Sequence, residues 1–188
     1  MGFTPEIVQN ALDTLRAEGC LLYPTDTIWG IGCDAQSTTG VEKIYRLKQR
    51  EDSKALICLV SDLSMLENHV GTIDKNLLPY LEEERPTTII YPKAEGINER
   101  LKASDGSVGI RIAKDAFCQA LILALNAPLV STSANISGAD SPKCFEEITP
   151  QIKEGVDAIV PLKQNEEQTQ ASRIIRLQAD GKIEILRP

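Results

Sequence analysis

Histidine is nearly missing from this chain: His69 is the one example in 188 residues. Its lone presence removes the Ser-His-Asp and Cys-His routes to covalent catalysis unless His69 itself serves. In Leu66-Glu67-Asn68-His69 it reads as the solvated end of a helix. No C-x-x-C pair occurs, and the five cysteines, Cys20, Cys33, Cys58, Cys118 and Cys144, are odd in number and widely spaced. A disulfide framework or zinc knuckle is not indicated, and a reducing, cytoplasmic setting is expected. Cys20 and Cys58 fall at apolar strand positions as small hydrophobes, whereas Cys33 follows a Gly-rich turn, where reactivity would need a depressed pKa. No apolar run approaches the roughly 20 residues of a membrane span. Met1–Asn10 carries Pro5 and Glu6 rather than a basic start and an apolar stretch, so no secretory signal is read there. Positive charge is in deficit, 20 Lys+Arg against 27 Asp+Glu, for a net charge of -7. That balance argues against a protein that coats DNA or RNA, though not against a local basic site.

What remains is a chain with 42% hydrophobic residues, enough for one soluble domain spanning 1–188 with a sizeable core. A helix is predicted from Thr4 as cap and Pro5 at the first turn to a stop at Gly19, with Ile7, Ala11, Leu12 and Leu15 on one face. A strand follows at Cys20–Tyr23, then a loop over Thr25–Ala35. A second helix starts at Thr39, with Glu42 completing a capping box, and runs to about Gln49. Further strands are predicted at Ala55–Val60, Thr87–Tyr91, Val108–Ile112, Pro128–Ser131 and Ala158–Leu162. Helical segments are predicted at Asp62–His69, Asp74–Glu84, Asp115–Leu125 and Cys144–Lys153. Lys163–Gln170 reads as a mobile loop. Arg173–Leu177 and Lys182–Leu186 flank Ala179-Asp180-Gly181, a hairpin turn signal. Helices alternating with strands, plus an antiparallel hairpin, predict an α/β domain with a twisted mixed sheet.

Three polar clusters follow apolar strands. Tyr23-Pro24-Thr25-Asp26-Thr27-Ile28-Trp29-Gly30-Ile31-Gly32 offers hydroxyls and bare backbone amides at a strand exit. It is not a dinucleotide fingerprint, because Gly30-x-Gly32 lacks the third glycine and no helix starts there. Trp29 fits a packing anchor. The second cluster spans Lys48 to Lys54. From Val41 to Lys54 five basic residues (Lys43, Arg46, Lys48, Arg50, Lys54) face three acidic ones (Glu42, Glu51, Asp52), a local surplus inside an acidic chain. An anion site and a solvated helix end favoured by the dipole both explain it. The third, Ser131-Thr132-Ser133-Ala134-Asn135-Ile136-Ser137-Gly138, continuing to Ser141, is the densest donor set in the chain. Hydroxyl-rich loops beside a basic strip, without a paired nucleophile, point to the positioning of a phosphorylated ligand.

In this order the three clusters resemble the motifs of the threonylcarbamoyl-AMP synthase (YrdC-like) family: Tyr-Pro-Thr-Glu/Asp-Thr with Gly-x-Gly, then Lys-x-Arg, then Ser-x-Ser-Ala-Asn-x-Ser-Gly. The likeness runs from about residue 5 to 187, ending as the family's shorter members do. It implies a YrdC-like fold with a concave basic cavity. The implied activity joins L-threonine, bicarbonate and ATP into L-threonylcarbamoyl-AMP with release of pyrophosphate. That product supplies the machinery that puts N6-threonylcarbamoyl on adenosine 37 of tRNA. The implied threonine-binding residues are Thr27, Arg111, Ser131 and Ser172. The implied ATP-binding residues are Arg50, Lys54, Ser107, Ser133, Asn135, Ser141 and Arg187, with Lys48 and Arg50 acting in catalysis. Mg²⁺ is expected to come with ATP, with no metal held by the protein.

Three positions depart from the family pattern: Arg85-Pro86-Thr87-Thr88 replaces a Pro-Gly-Pro lead-in, Ala113 stands for a proline, and Leu59 for a histidine. The Leu59 change removes a possible threonine contact and leaves the phosphate side intact. A carbamate is already anionic, so attack on the α-phosphorus requires no general base, in keeping with the scarcity of histidine. Lys163–Gln170 is a candidate lid over the labile intermediate. Two other readings are a double-stranded RNA- or tRNA-binding module driven by the Lys43–Lys54 strip, and a related carbamoyl-adenylate enzyme, a domain that normally lies within a longer chain.

Overall fold

A computed structural model describes residues 2–49, 56–168, 171–178 and 180–188. The elements follow in the order α1 (Pro5–Arg16), β1 (Leu21–Tyr23), β2 (Gly30–Gly32), α2 (Thr38–Lys48), β3 (Ile57–Val60), α3 (Leu63–Val70), α4 (Leu78–Glu82), β4 (Thr87–Tyr91), β5 (Val108–Ile112), α5 (Ala116–Leu125), β6 (Leu129–Ser133), α6 (Pro150–Gly155), β7 (Ala158–Ile159), β8 (Arg173–Leu177) and β9 (Ile183–Arg187). Among the described residues these strands form one nine-stranded sheet in the order β7-β1-β2-β6-β3-β5-β4-β8-β9. Three parallel pairs (β1 with β7, β3 with β5, β4 with β8) are set among antiparallel ones, so the sheet is mixed as expected.

Pleating sends alternate side chains to opposite faces, and the two faces bury different sets. Leu22, Ile31, Cys58, Val60, Ile89, Ile110, Val130 and Ile175 pack on one side with Val41 and Ile44 of α2 and Leu66 of α3. On the other side Leu21, Tyr23, Leu59 and Leu129 meet α1 through Leu12 and Leu15, and α5 through Phe117, Leu121 and Ile122. The α1–α5 layer lies over β1, β3 and β6, and the same face continues past it onto β4, β8 and β9.

Several local expectations change. The Gly-x-Gly stretch is strand β2 rather than open loop, inserted between β1 and β6 with Ile31 opposite Leu22 and Thr132. A Cβ on Gly32 would stand 2.2 Å from the Val130 carbonyl oxygen, so this glycine serves close strand packing rather than a ligand. Helix α2 is capped by Ser37, whose Oγ accepts from the Gly40 amide at 3.0 Å. Thr39 instead donates to Glu18, and Glu42 pairs with Arg46 and Arg100, so the expected capping box does not form. The helix expected near Cys144 starts only at Pro150, a residue preset for the first turn. The described part of the loop after β7, through residue 168, is pinned: Lys163 pairs with Asp115 at 2.6 Å, and the buried Gln168 donates through Nε2 to the Thr25 carbonyl at 3.1 Å.

All five thiols are free; Cys20, Cys33, Cys58 and Cys118 are buried, and Cys144 is partly exposed. Burial pushes the Cys20 thiol up to about 11 and Cys58 up to about 12, and it raises Cys33 and Cys118 as well. A nucleophilic Cys33 is therefore not supported. Brief iodoacetamide treatment of the native protein at pH 8 is expected to label Cys144 and spare the other four until denaturant is added, as read by mass spectrometry.

Candidate functional site

Where the α1–α5 layer ends, the exposed sheet face and the loops around it enclose a cavity of about 290 Å³. Its lining brings together seven of the residues singled out in the sequence, Thr27, Arg111, Ser131, Ser133, Ser141, Ser172 and Arg187, with Gly30, Ile57, Thr88 and Ile174 among the rest. The strands explain the convergence. Ser131 and Ser133 are alternate residues of β6, which runs two residues further than expected because Ser133 pairs with Gly30 of β2. Arg111 projects from the same face of β5, and Arg187 is registered against Ile174 across β8 and β9.

Arg111 is 3% exposed and its guanidinium is held from one side. Nη1 donates to Thr27 Oγ1 at 3.0 Å, and Nη2 lies 3.0 Å from Asp26 Oδ1. The Asp26 contact is an ion pair off the hydrogen-bond line, since that oxygen accepts no hydrogen bond among the described residues; its other oxygen takes the Lys114 amide at 2.8 Å. Thr27 is fixed in turn by a 2.9 Å contact with Thr25 Oγ1, so the Thr25–Asp26–Thr27 turn is the cradle of the arginine. Arg111 Nε is buried without a partner among the described residues.

Arg187 approaches from the sheet edge, donating to the Ser172 carbonyl through Nε at 2.9 Å and Nη2 at 2.6 Å, with Nη2 also 3.2 Å from Ser172 Oγ. Ser172 Oγ is a further 3.0 Å from Thr88 Oγ1. Loss of surrounding water, and then the positive charge of Arg111, lower Arg187 below the ordinary arginine value. Guanidinium stays charged nonetheless. Two cations thus face one hydroxyl-lined space, an arrangement that an anion relieves.

Other residues named from the sequence lie elsewhere. Lys48 is 1% exposed and is not among the lining residues. Its ammonium donates to the Ser133 carbonyl and, at 2.7 Å, to the Asn135 carbonyl, while its own carbonyl accepts from Ser137 N at 2.9 Å. Lys48 thereby fastens the Ser-Ala-Asn-Ile-Ser loop to the end of α2. Asn135 turns its Nδ2 onto the Ile136 and Ala139 carbonyls, closing the loop upon itself. Ser107 lines a second hollow with Asp105 and Arg176. Arg50 and Lys54 lie outside the described residues. Leu59 is fully buried under α1 and α5, away from the lining.

The model of the Sua5/YciO/YrdC family, described as telomere recombination, matches residues 13–188. The chain belongs to the Sua5/YciO/YrdC family. The resemblance seen in the three clusters therefore holds along nearly the whole length. A curated relative from Stenotrophomonas maltophilia, named threonylcarbamoyl-AMP synthase, is 31% identical over 160 residues, covering 81% of this chain and 84% of the relative. E. coli YciO superposes with a TM-score of 0.83 at 25% identity, over 98% of this chain and 89% of that one. P. abyssi Sua5 complexed with L-threonine superposes with a TM-score of 0.82 at 22% identity, over 96% of this chain. This chain spans only 53% of that Sua5.

Thr88, Ile57 and Ile174 complete the cavity floor. Their only signal was strand alternation on faces whose register the sequence does not state. Asp26 belongs to the first motif, but its pairing with Arg111 spans the fold and has no local signature.

Proposed function

We propose that the protein is an L-threonylcarbamoyladenylate synthase, joining L-threonine, bicarbonate and ATP into L-threonylcarbamoyl-AMP and pyrophosphate. The observation that carries this reading is the pair Arg111 and Arg187 facing each other over a hydroxyl-lined cavity. Relatives bearing that enzyme's name support it.

In this reading Arg111 receives the threonine carboxylate, with Thr27, Ser131 and Ser172 around the amino acid. Arg187, Ser133 and Ser141 take the nucleotide, joined by Arg50 and Lys54. The threonine amine adds to bicarbonate with loss of water. The resulting carbamate oxygen then attacks the α-phosphorus, the α–β bridge breaks, and pyrophosphate leaves with the electron pair. The chain's share is positioning and charge compensation, and Lys48 acts at one remove by holding the Ser133 strand end. Among the described residues the lining carries no carboxylate, and no group of three His, Cys, Asp or Glu could hold a metal. Mg²⁺ would enter as part of the ATP substrate, and no step is assigned to a protein-held ion. The adenylate is a labile mixed anhydride, so the tRNA threonylcarbamoyl transferase machinery of the cytoplasm is its natural consumer. Among the described residues no helix is long and apolar enough to cross a membrane.

Incubation with ATP, Mg²⁺, bicarbonate and L-threonine is expected to release pyrophosphate together with the threonylcarbamoyl adenylate. Withholding threonine should stop both. Pyrophosphate release that continues at the same rate without threonine would refute the assignment.

A further inference from the structure

Gln168 is only 9% exposed, although Asn165, Glu166 and Glu167 just before it lie open to solvent. A side-chain amide taken out of water needs hydrogen bonds in exchange. Its Nε2 donates to the Thr25 carbonyl at 3.1 Å, and its main-chain amide to the Lys143 carbonyl at 2.6 Å. A carbonyl only accepts, which fixes the orientation of the side-chain amide. Oε1 is then buried with no partner among the described residues. The place therefore suits a donor more than it suits an amide as a whole. Both contacts fall two residues from a hydroxyl of the main cavity, Thr25 from Thr27 and Lys143 from Ser141. Gln168 itself is not among the lining residues.

Inside the first-motif turn the hydrogen bonds run in one direction. Arg111 Nη1 donates to Thr27 Oγ1. Thr25 Oγ1 gives its proton to the Ile28 carbonyl at 2.7 Å, so the 2.9 Å contact between the two threonines uses the proton of Thr27. Thr25, 2% exposed, is the fixed end of the row that orients Arg111. Its carbonyl is the group that Gln168 holds. The loop's other fastening, Lys163 to Asp115, goes to the start of α5 instead of to this turn.

We propose that Gln168 is a positioning residue for the amino-acid side of the site. By holding the Thr25 carbonyl it sets, through Thr25 and Thr27, where Arg111 offers its guanidinium. A displacement of about 1 Å there is enough to spoil its alignment with a carboxylate. The proposal deepens the synthase reading and rests on it for the identity of the amino acid.

Calorimetric titration of the intact protein with L-threonine and, separately, with ATP tests it, alongside steady-state kinetics. Gln168→Leu removes the donor at similar volume and keeps the main-chain bond to Lys143. It is expected to raise Kd and KM for threonine about tenfold, the scale of one hydrogen bond lost from a buried carbonyl, and to leave ATP unchanged. Gln168→Glu keeps the shape and can donate only when protonated. Its threonine Kd relative to wild type should therefore improve as the pH is lowered through the carboxyl titration, and it decides the matter if the leucine variant does not fold. Lys163→Met, which frees the loop from α5 without touching Thr25, should leave threonine binding unchanged. Equal weakening of both ligands in Gln168→Leu, or the same loss in Lys163→Met, would make Gln168 a general support of the loop and overturn the proposal. Wild-type threonine affinity in Gln168→Leu, or a deficit in Gln168→Glu that ignores pH, would overturn it too. Wild-type turnover separates the two readings. A wild type that binds threonine but forms no adenylate refutes the synthase reading alone and leaves the binding comparison in force, and one that binds no threonine refutes both.

Discussion

Arg111→Ala is expected to lower kcat/KM for adenylate formation by about 100-fold or more. Truncating one partner of a buried, hydrogen-bonded charge pair costs about 2–5 kcal/mol, and each 1.4 kcal/mol is tenfold. Arg111 is that partner here, since it is buried, anchored to Thr27 and paired with Asp26. Alanine would also leave the largely buried Asp26 carboxylate uncompensated, so the melting temperature should fall. Arg111→Lys separates the two effects. It keeps a cation near Asp26 but loses the forked donor, so KM for threonine should rise far more than KM for ATP. A lysine variant with wild-type KM for threonine would show that Arg111 does not meet the amino acid.

Lys48→Met should act on stability before it acts on substrate. The replacement fills similar volume and removes the ammonium that holds the Ser133 and Asn135 carbonyls. Hydrogen bonds to a charged group contribute about 1.5–3 kcal/mol each. Part of that is offset by no longer burying a charge, leaving a net loss of about 3 kcal/mol. At 2–4 °C per kcal/mol for a chain of this size, the melting temperature should drop by roughly 6–12 °C. Activity measured below the transition should fall as well, because the strand end carrying Ser133 loses its fastening. An unchanged melting temperature with a large rise in KM for ATP would instead make Lys48 a direct phosphate contact.

These residues show which features the sequence made legible. Thr87–Tyr91, Val108–Ile112 and Arg173–Leu177 are strands with the expected bounds, because β-branched and apolar runs between turn signals state their own conformation. β2 was hidden, because two of its three residues are glycines and its existence depends on β1 and β6 on either side. The capping box at Thr39 failed for a similar reason. Glu18, Arg46 and Arg100 offered its side chains better partners than the backbone did. For the site, motif spacing was enough to put Ser131 and Ser133 on one face, since they lie two apart on one strand. Motif membership gave no sign that Lys48 reaches the Ser133 and Asn135 carbonyls, because that contact joins segments 85 and 87 residues apart.

The scarcity of histidine, the unpaired cysteines, the net charge of -7 and the three polar clusters were all determined by the sequence alone. They pointed to an α/β chain and to the positioning of a charged ligand. Which cations share one cavity was decided by tertiary structure. Register across β5, β4, β8 and β9 brings Arg111 and Arg187, far apart in the chain, into one space, while the turn from α2 buries Lys48 among carbonyls. Side-chain alternation is local, but the register that decides which alternate residues become neighbours is set only when the sheet assembles.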